Sequence, residues 1–215
     1  LLDVARAGTR LVAVGERGHV LLSDDEGRSW RQARSVPSRT MLTAVTFVDA
    51  RRGWAAGHDE IILHSGDGGE TWTRQHYAPE AQQPLLDLWF ADARRGIAVG
   101  AYKACYVTAD GGATWVRTPF EPAPPPGAKP AGPDDDIPPE YHLNRIAGRG
   151  ERLYVAAEAG QLYRSDDGGT SWRTLASPYA GSFFGLLPLA GESVLAFGLR
   201  GNLFRSDDGG GSWRK

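Results

Sequence analysis

The side chains best placed to do chemistry in this sequence are carboxylates and hydroxyls at a fixed spacing. Asp25, Asp67, Asp110, Asp167 and Asp208 each follow a Ser or Thr by two residues. Each precedes a Gly by two, a second Ser or Thr by four, and one of Trp30, Trp72, Trp115, Trp172 and Trp213 by five. Such a set can ligate a cation, act as an acid or base, or fasten a turn. Asp24-x-Glu26-Gly27 and Asp166-Asp167-Gly168 resemble the opening of a calcium loop, but that twelve-residue loop ends on a bidentate Glu. Here Trp and strand residues follow instead. Glycoside hydrolysis needs two carboxylates at a chosen separation, which spacing along the chain does not define. A catalytic site needs one copy, and five copies are architecture. The Asp can accept from the N–H groups of its own turn, and the Gly can take positive φ.

Other chemistries find less support. Cys105, the one cysteine, lies between Ala104 and Tyr106 in an apolar run and reads as a buried packing residue. His19, His58, His64, His76 and His142 are scattered without metal-ligand spacing. No Gly-x-Ser-x-Gly elbow occurs, and the Gly pairs sit between strands rather than before a helix, so no phosphate loop is expected. No cofactor and no metal is expected.

The elements that position the boxes follow from their period. The central aspartates are 42, 43, 57 and 41 residues apart, the range of a repeat architecture. In the second repeat, Leu42 to Val48 reads as a strand, Asp49 to Gly53 as a turn, Trp54 to Gly57 as a strand, His58 to Glu60 as a turn and Ile61 to His64 as a strand. The box is the next turn, and Trp72 opens a fourth strand. The other repeats follow the same plan, and no segment carries a helical period. Four antiparallel strands per repeat of about 40 residues describe a β-propeller blade. The expected fold is all-β, a single propeller domain over 1–215 with blades near 1–34, 40–76, 84–118, 141–175 and 182–215. The long step is explained by a Pro-rich insertion at 119–139, read as a surface loop that cannot pair in a sheet and that is either a tolerated insertion or a partner-binding loop.

The box and its surroundings resemble a known family. Gly198-Leu199-Arg200-Gly201-Asn202-Leu203-Phe204-Arg205-Ser206 and the box after it carry nearly the whole Asp-box, or bacterial neuraminidase, repeat. Gly15-Glu16-Arg17-Gly18-His19-Val20 begins another near-copy. With first strands such as Leu42 to Gly57, the chain resembles the photosystem II stability/assembly factor-like family. That resemblance implies a propeller, commonly seven-bladed, in a thylakoid lumen or bacterial periplasm, and covers nearly all but 119–139. Sialidases share the box more distantly. The Arg-Ile-Pro motif they carry is absent, and Asn144-Arg145-Ile146-Ala147 lacks its proline.

Bulk properties narrow the function classes. Lys+Arg 24 against Asp+Glu 26 argues against a general nucleic-acid or membrane-surface binder. No apolar run is long enough to span a membrane. The sequence opens at Leu1 without an initiator Met, which suggests a processed or excised product, so a missing signal peptide says nothing of location. Five blades visible out of up to seven suggests part of a larger propeller.

Strand direction sorts the turns. The box shares an end of each blade with the first turn, which gathers Arg51, Arg52, Arg94, Arg95, Arg149 and Arg152. The other end receives the second turns, with Arg17, His58, Asp59, Glu60, Tyr102, Lys103, Glu158 and Arg200. Repeated positions carry stability and divergent ones identity, so the second turns are the expected partner-binding surface and the arginine turns its rival. The expected function is a non-enzymatic protein-binding scaffold or assembly factor, periplasmic, lumenal or secreted, whose partner is another protein such as a membrane-protein assembly intermediate. The alternatives are a glycan-binding or sialidase-like propeller and an accessory subunit of an envelope transport complex.

Overall fold

The computed structural model describes residues 1–125 and 140–215. The remainder of the Pro-rich insertion, 126–139, lies outside the described residues. Two compact units make up the chain, Leu1–Thr118 and Pro119–Lys215.

The first unit holds three four-stranded antiparallel meanders. Sheet 1 consists of Asp3–Ala7, Arg10–Val14, Val20–Ser23 and Arg31–Gln32. Sheet 2 consists of Leu42–Phe47, Gly53–Gly57, Ile62–Ser65 and Thr73–His76. Sheet 3 consists of Leu85–Phe90, Gly96–Gly100, Cys105–Thr108 and Val116–Arg117. The second strands Gly-Trp-Ala-Ala-Gly and Gly-Ile-Ala-Val-Gly are buried throughout. Such short runs without polar alternation are what a strand covered on both faces requires.

Alternation along each strand divides its apolar residues between two neighbouring sheets. Val12, Val14, Val20 and Leu22 of sheet 1 pack with Leu42, Val45, Leu63 and Trp72 of sheet 2. Trp54, Ala56 and Ile62, on the opposite face of sheet 2, pack with Leu85, Leu88, Phe90 and Tyr106 of sheet 3. Trp54 stacks on Phe90 at 3.6 Å between ring centroids. Polar ties join the first strands: Val45 N donates to Asp3 Oδ2 at 2.9 Å, and Thr43 Oγ1 to Leu85 O at 2.7 Å. Thr43 is the extra residue of a register shift, and its side chain reaches the next sheet from that bulge.

The second unit holds sheet 4, Leu143–Arg149, Arg152–Ala157, Leu162–Ser165 and Arg173–Thr174, and sheet 5, Phe183–Pro188, Val194–Gly198 and Asn202–Ser206. In place of a fourth strand, sheet 5 has one two-way backbone bridge between Arg205 and Arg214. Tyr154, Ala156 and Leu162 pack with Phe183, Leu186, Val194 and Phe204. Asn144, again at a register shift, donates from Nδ2 to Phe183 O at 2.8 Å.

The described part of the insertion differs from the expected unpaired loop. Ala123 N donates to Trp172 O, and Thr174 N donates to Ala123 O, both at 2.8 Å. Ala123 keeps the N–H that the flanking prolines Pro122 and Pro124 lack. Phe120 is buried against Tyr163 and Trp172, with centroids 5.1 and 5.3 Å away. In the first unit the link after sheet 1 is fastened the same way: Arg34 N donates to Glu70 O and Trp72 N to Ser35 O, each at 2.9 Å.

Candidate functional site

Each sheet has two working ends, and they differ in how they are built. At one end the box closes on itself. In sheet 2, Ser65 Oγ donates to Asp67 Oδ1 at 2.9 Å and accepts from Gly69 N at 2.9 Å. Thr71 N donates to Asp67 Oδ1 at 2.9 Å, and Thr71 Oγ1 to Oδ2 at 2.6 Å. The same bonds recur around Asp25, Asp110, Asp167 and Asp208. Hydroxyl and N–H donors favour the anion, led by the side chains of Ser29, Thr114 and Ser171. They hold Asp25, Asp110 and Asp167 down to about 2. Both oxygens of each carboxylate thus face donors of their own turn, and the chemistry available to them is fastening. Among the described residues no group of three or more His, Cys, Asp or Glu converges as a metal site.

The first turn of the blade lies against the box. Gly68 N donates to Arg51 O, Gly111 N to Arg94 O, Gly168 N to Glu151 O and Gly209 N to Glu192 O, at 2.8–2.9 Å. The arginines of this end belong largely to the turns. Asp49 Oδ1 accepts from the N–H groups of Arg51 and Arg52, and its Oδ2 from Arg52 Nε at 2.7 Å. Asp92 does the same for Arg94 and Arg95. Arg51 Nε reaches Gly66 O at 3.3 Å, while the Arg94 side chain stands exposed. Arg152 pairs with Asp166 at 3.1 Å and Glu192 at 2.5 Å.

At the other end, every second turn places two successive residues at positive φ. The pairs are Arg17-Gly18, Asp59-Glu60, Tyr102-Lys103, Ala159-Gly160 and Arg200-Gly201. Only glycine takes that conformation at little cost, yet in sheets 2 and 3 both positions carry full side chains. The preceding glycine is needed for a different reason. A Cβ on Gly57 would lie 2.0 Å from Met41 O, and one on Gly100 2.3 Å from Pro84 O, where the link into the same sheet passes. Arg17, His58 and Tyr102 are exposed, and Asp59 and Lys103 are half-buried. Asp59 accepts from Thr40 Oγ1 at 3.2 Å. In the second unit, Arg200 is exposed, and Glu158 caps its own sheet by accepting from His142 N at 3.0 Å.

Glu60 corrects the expected surface. Its side chain is buried, and its Oε2 accepts from Tyr106 OH at 2.7 Å and lies 3.9 Å from His76 Nε2. The positive φ of Glu60 turns it into the interface of sheets 2 and 3 rather than toward solvent. Burial, reinforced by the bond to Glu60, pushes Tyr106 up to about 12, so it remains a phenol and a donor. Burial also lowers His76, against the pull of Glu60. Cys105 is buried and its thiol is pushed up to about 12, which leaves no thiolate for nucleophilic work.

Two networks were not anticipated from the sequence. Arg10 pairs with Asp24 at 2.6 Å and Glu70 at 3.0 Å, and Arg31 pairs with Glu70 as well. Arg152 and Ser193 bond Asp166 and Asp207 in the same way. The separation in each case is 14 residues, a regularity that a repeat alignment carries. The Glu60, Tyr106 and His76 cluster leaves no such periodic signal.

The family model described as photosynthesis system II assembly factor YCF48 matches residues 1–81 and 75–215. This chain belongs to the Ycf48 family. The photosystem II assembly lipoprotein Ycf48 of Synechococcus sp. (strain CC9902) is 30% identical over 63 residues, 28% of this chain. That match spans 19% of the relative's own length. Among solved structures, an ancestral GH74 enzyme aligns with 96% of this chain and 29% of its own, at 14% identity and a TM-score of 0.72. The WD40 β-propeller domain of Doa1 aligns with 98% of this chain and 66% of its own, at 14% identity and a TM-score of 0.67. These likenesses establish the expected β-propeller fold for the Ycf48-family chain, and at such identities they speak to fold alone.

Proposed function

We propose that this chain is a non-enzymatic protein-binding assembly factor, working in a periplasm or lumen, whose partner is a membrane protein caught during its assembly. Membership of an assembly-factor family and a relative that is a lipoprotein support the role and the location. One structural observation carries the choice of surface. The second turns of sheets 1, 2 and 3 hold Arg17, Asp59, Tyr102 and Lys103 at positive φ, a conformation that persists in side-chain-bearing residues only where the surroundings enforce it. The opposite end repeats one self-contained turn, and its arginines largely serve their own aspartates. Divergent, constrained polar side chains suit recognition of a polypeptide, with Tyr102 supplying a rigid contact and Arg17 and Lys103 favouring acidic segments.

The test is capture of a partner from a solubilised envelope fraction by the immobilised chain. The R17A/Y102A/K103A variant is expected to lose at least about tenfold in capture, with an unchanged denaturation midpoint. R51A/R94A is expected to capture normally. Equal capture by the triple variant and the parent would overturn the assignment of this surface. Turnover of fluorogenic glycosides by the parent would overturn the non-enzymatic reading.

A further inference from the structure

The outer edge of a sheet begins at the tryptophan of its box, and in sheets 2 and 4 that edge is occupied. In sheet 2 the link arriving from sheet 1 lies along it. Ser35 N donates to Glu70 O at 3.3 Å, and Trp72 N donates to Ser35 O at 2.9 Å. In sheet 4, two residues further along, Ala123 sits between Trp172 O and Thr174 N, with both bonds at 2.8 Å. Both bridges are parallel. In each case one residue of an extended segment turns its N–H and its C=O to the edge, as parallel pairing requires.

Sheet 3 has the same edge without the segment. Thr118 N donates to Cys105 O as Leu175 N does to Leu162 O, at 2.9 Å in both. Trp115 and Arg117 therefore turn their N–H and C=O groups outward, as Trp172 and Thr174 do. Among the described residues no backbone partner meets Trp115 N, Trp115 O or Arg117 N. The link arriving from sheet 2 goes elsewhere. It forms the short turn Pro79–Ala81 and makes its backbone bonds at the second turns. Ala78 N donates to Asp59 O at 3.0 Å, Glu60 N to Gln83 O at 3.1 Å and Ala101 N to Pro84 O at 2.9 Å. The segment that could fill the edge is thus present and directed away, so the opening does not come from where the sequence starts or stops. An open edge is a template for pairing with another chain. Val116 on this edge is 58% exposed, and the exposed Arg117 reaches Gln83 Oε1 from Nη2 at 3.2 Å.

We propose that the open edge of sheet 3 takes an extended segment of a partner polypeptide, paired in parallel with residues 115–117 as Ala123 is paired in sheet 4. This rests on the protein-binding reading above, but not on its second-turn surface. Backbone bonds supply the affinity of such strand addition, and the side chains alongside supply the preference. The paired residue lies beside Val116 on the same face, which favours an apolar side chain. Its neighbours lie beside Trp115 and Arg117 on the other face, where the guanidinium favours a carboxylate. The paired residue needs its own N–H, which excludes proline. The partner segment therefore alternates apolar and acidic residues.

Fluorescence anisotropy of a labelled peptide of about eight residues, alternating Val and Glu, tests this on the full 215-residue chain. Saturable binding by the parent is expected. N-methylation of the Val residues removes the N–H groups that face the edge and is expected to weaken binding at least about tenfold. N-methylation of the Glu residues, whose N–H groups face away, is expected to change it less than about twofold. R117P removes an outward N–H at a position where an edge strand tolerates proline, and is expected to lose at least about tenfold, with R117A, which keeps the N–H, losing less. Denaturation midpoints identify a folded R117P, and the two methylated peptides decide on the parent if that variant does not fold. R17A/Y102A/K103A is expected to bind the peptide as the parent does. Equal binding of both methylated peptides would overturn the proposal. Loss in the triple variant with binding kept in R117P would overturn it too, by placing the peptide at the second turns. Absence of saturable binding by the parent would overturn it as well, and capture of an envelope protein by that same parent would show that the protein-binding reading stands without it.

Discussion

The box turn and the second turn sit at opposite ends of the same strands and solve the same problem, reversing the chain, by different means. In the box, glycine takes the left-handed residue: Gly69 stands at φ 87, and Gly27, Gly112, Gly169 and Gly210 stand between 85 and 93. The aspartate then binds the donors that the turn leaves over. In the second turn, Asp59, Glu60, Tyr102 and Lys103 accept the same left-handed conformation without glycine. The first design repeats five times and gives its left-handed positions to glycine, with Glu26 at φ 60 in the first box the one exception. The second tolerates strain and changes its side chains at every repeat. Repetition and divergence thereby lie at opposite ends of each blade.

The sharpest way to break this contrast is through the tryptophan that ends the box. Trp72 is buried in the contact of sheets 1 and 2, whereas Trp30 is 39% exposed. Trp72→Ala is expected to cost about 3–5 kcal/mol by leaving a cavity, and Trp30→Ala clearly less. Urea denaturation of the two variants makes the comparison, and equal losses would deny the box its role in joining sheets.

A smaller effect is expected from the carboxylate. Asp167→Asn replaces charge-assisted bonds from Ser165 and Ser171 with neutral ones, at a cost of about 1–2 kcal/mol near neutral pH. The sign of the pH dependence follows from the depressed values of Asp25, Asp110 and Asp167, near 2 when folded against about 3.9 when unfolded. Over that interval the unfolded chain binds more protons, so the stabilisation is complete above about pH 4 and lost as pH falls through about 2. Denaturation midpoints from pH 2 to 6 should show the parent declining more steeply than Asp167→Asn. Parallel curves would contradict the account.

The smallest effect carries the opposite sign. Lys103→Gly relieves a left-handed residue and is expected to raise stability by about 0.5–1 kcal/mol, net of the glycine's greater freedom when unfolded. The thermal midpoint checks this, and a decrease would show that the turn is not strained.

Much of the architecture was legible because it repeats. A period of boxes, short apolar runs and Asp-Ala-Arg-Arg-Gly turns specifies four strands per unit, since each strand must bury a face that its own repeat cannot cover. The self-sufficiency of the box was readable too, because all its bonds are local. Glu60 was not readable. His58-Asp59-Glu60 looks like an exposed polar turn, and only the left-handed backbone directs the carboxylate to Tyr106, 46 residues away. Ala123 was hidden by its prolines, although its own N–H pairs with Trp172.

By itself the sequence determined the family, the all-β repeat, the turn at each box and the two ends of every blade, for these depend on neighbours a few residues apart. Tertiary structure alone decided which carboxylate is buried and which arginines belong to their own turns. Those outcomes depend on the sign of one backbone angle and on whether another sheet lies alongside. A residue's type specifies neither of them.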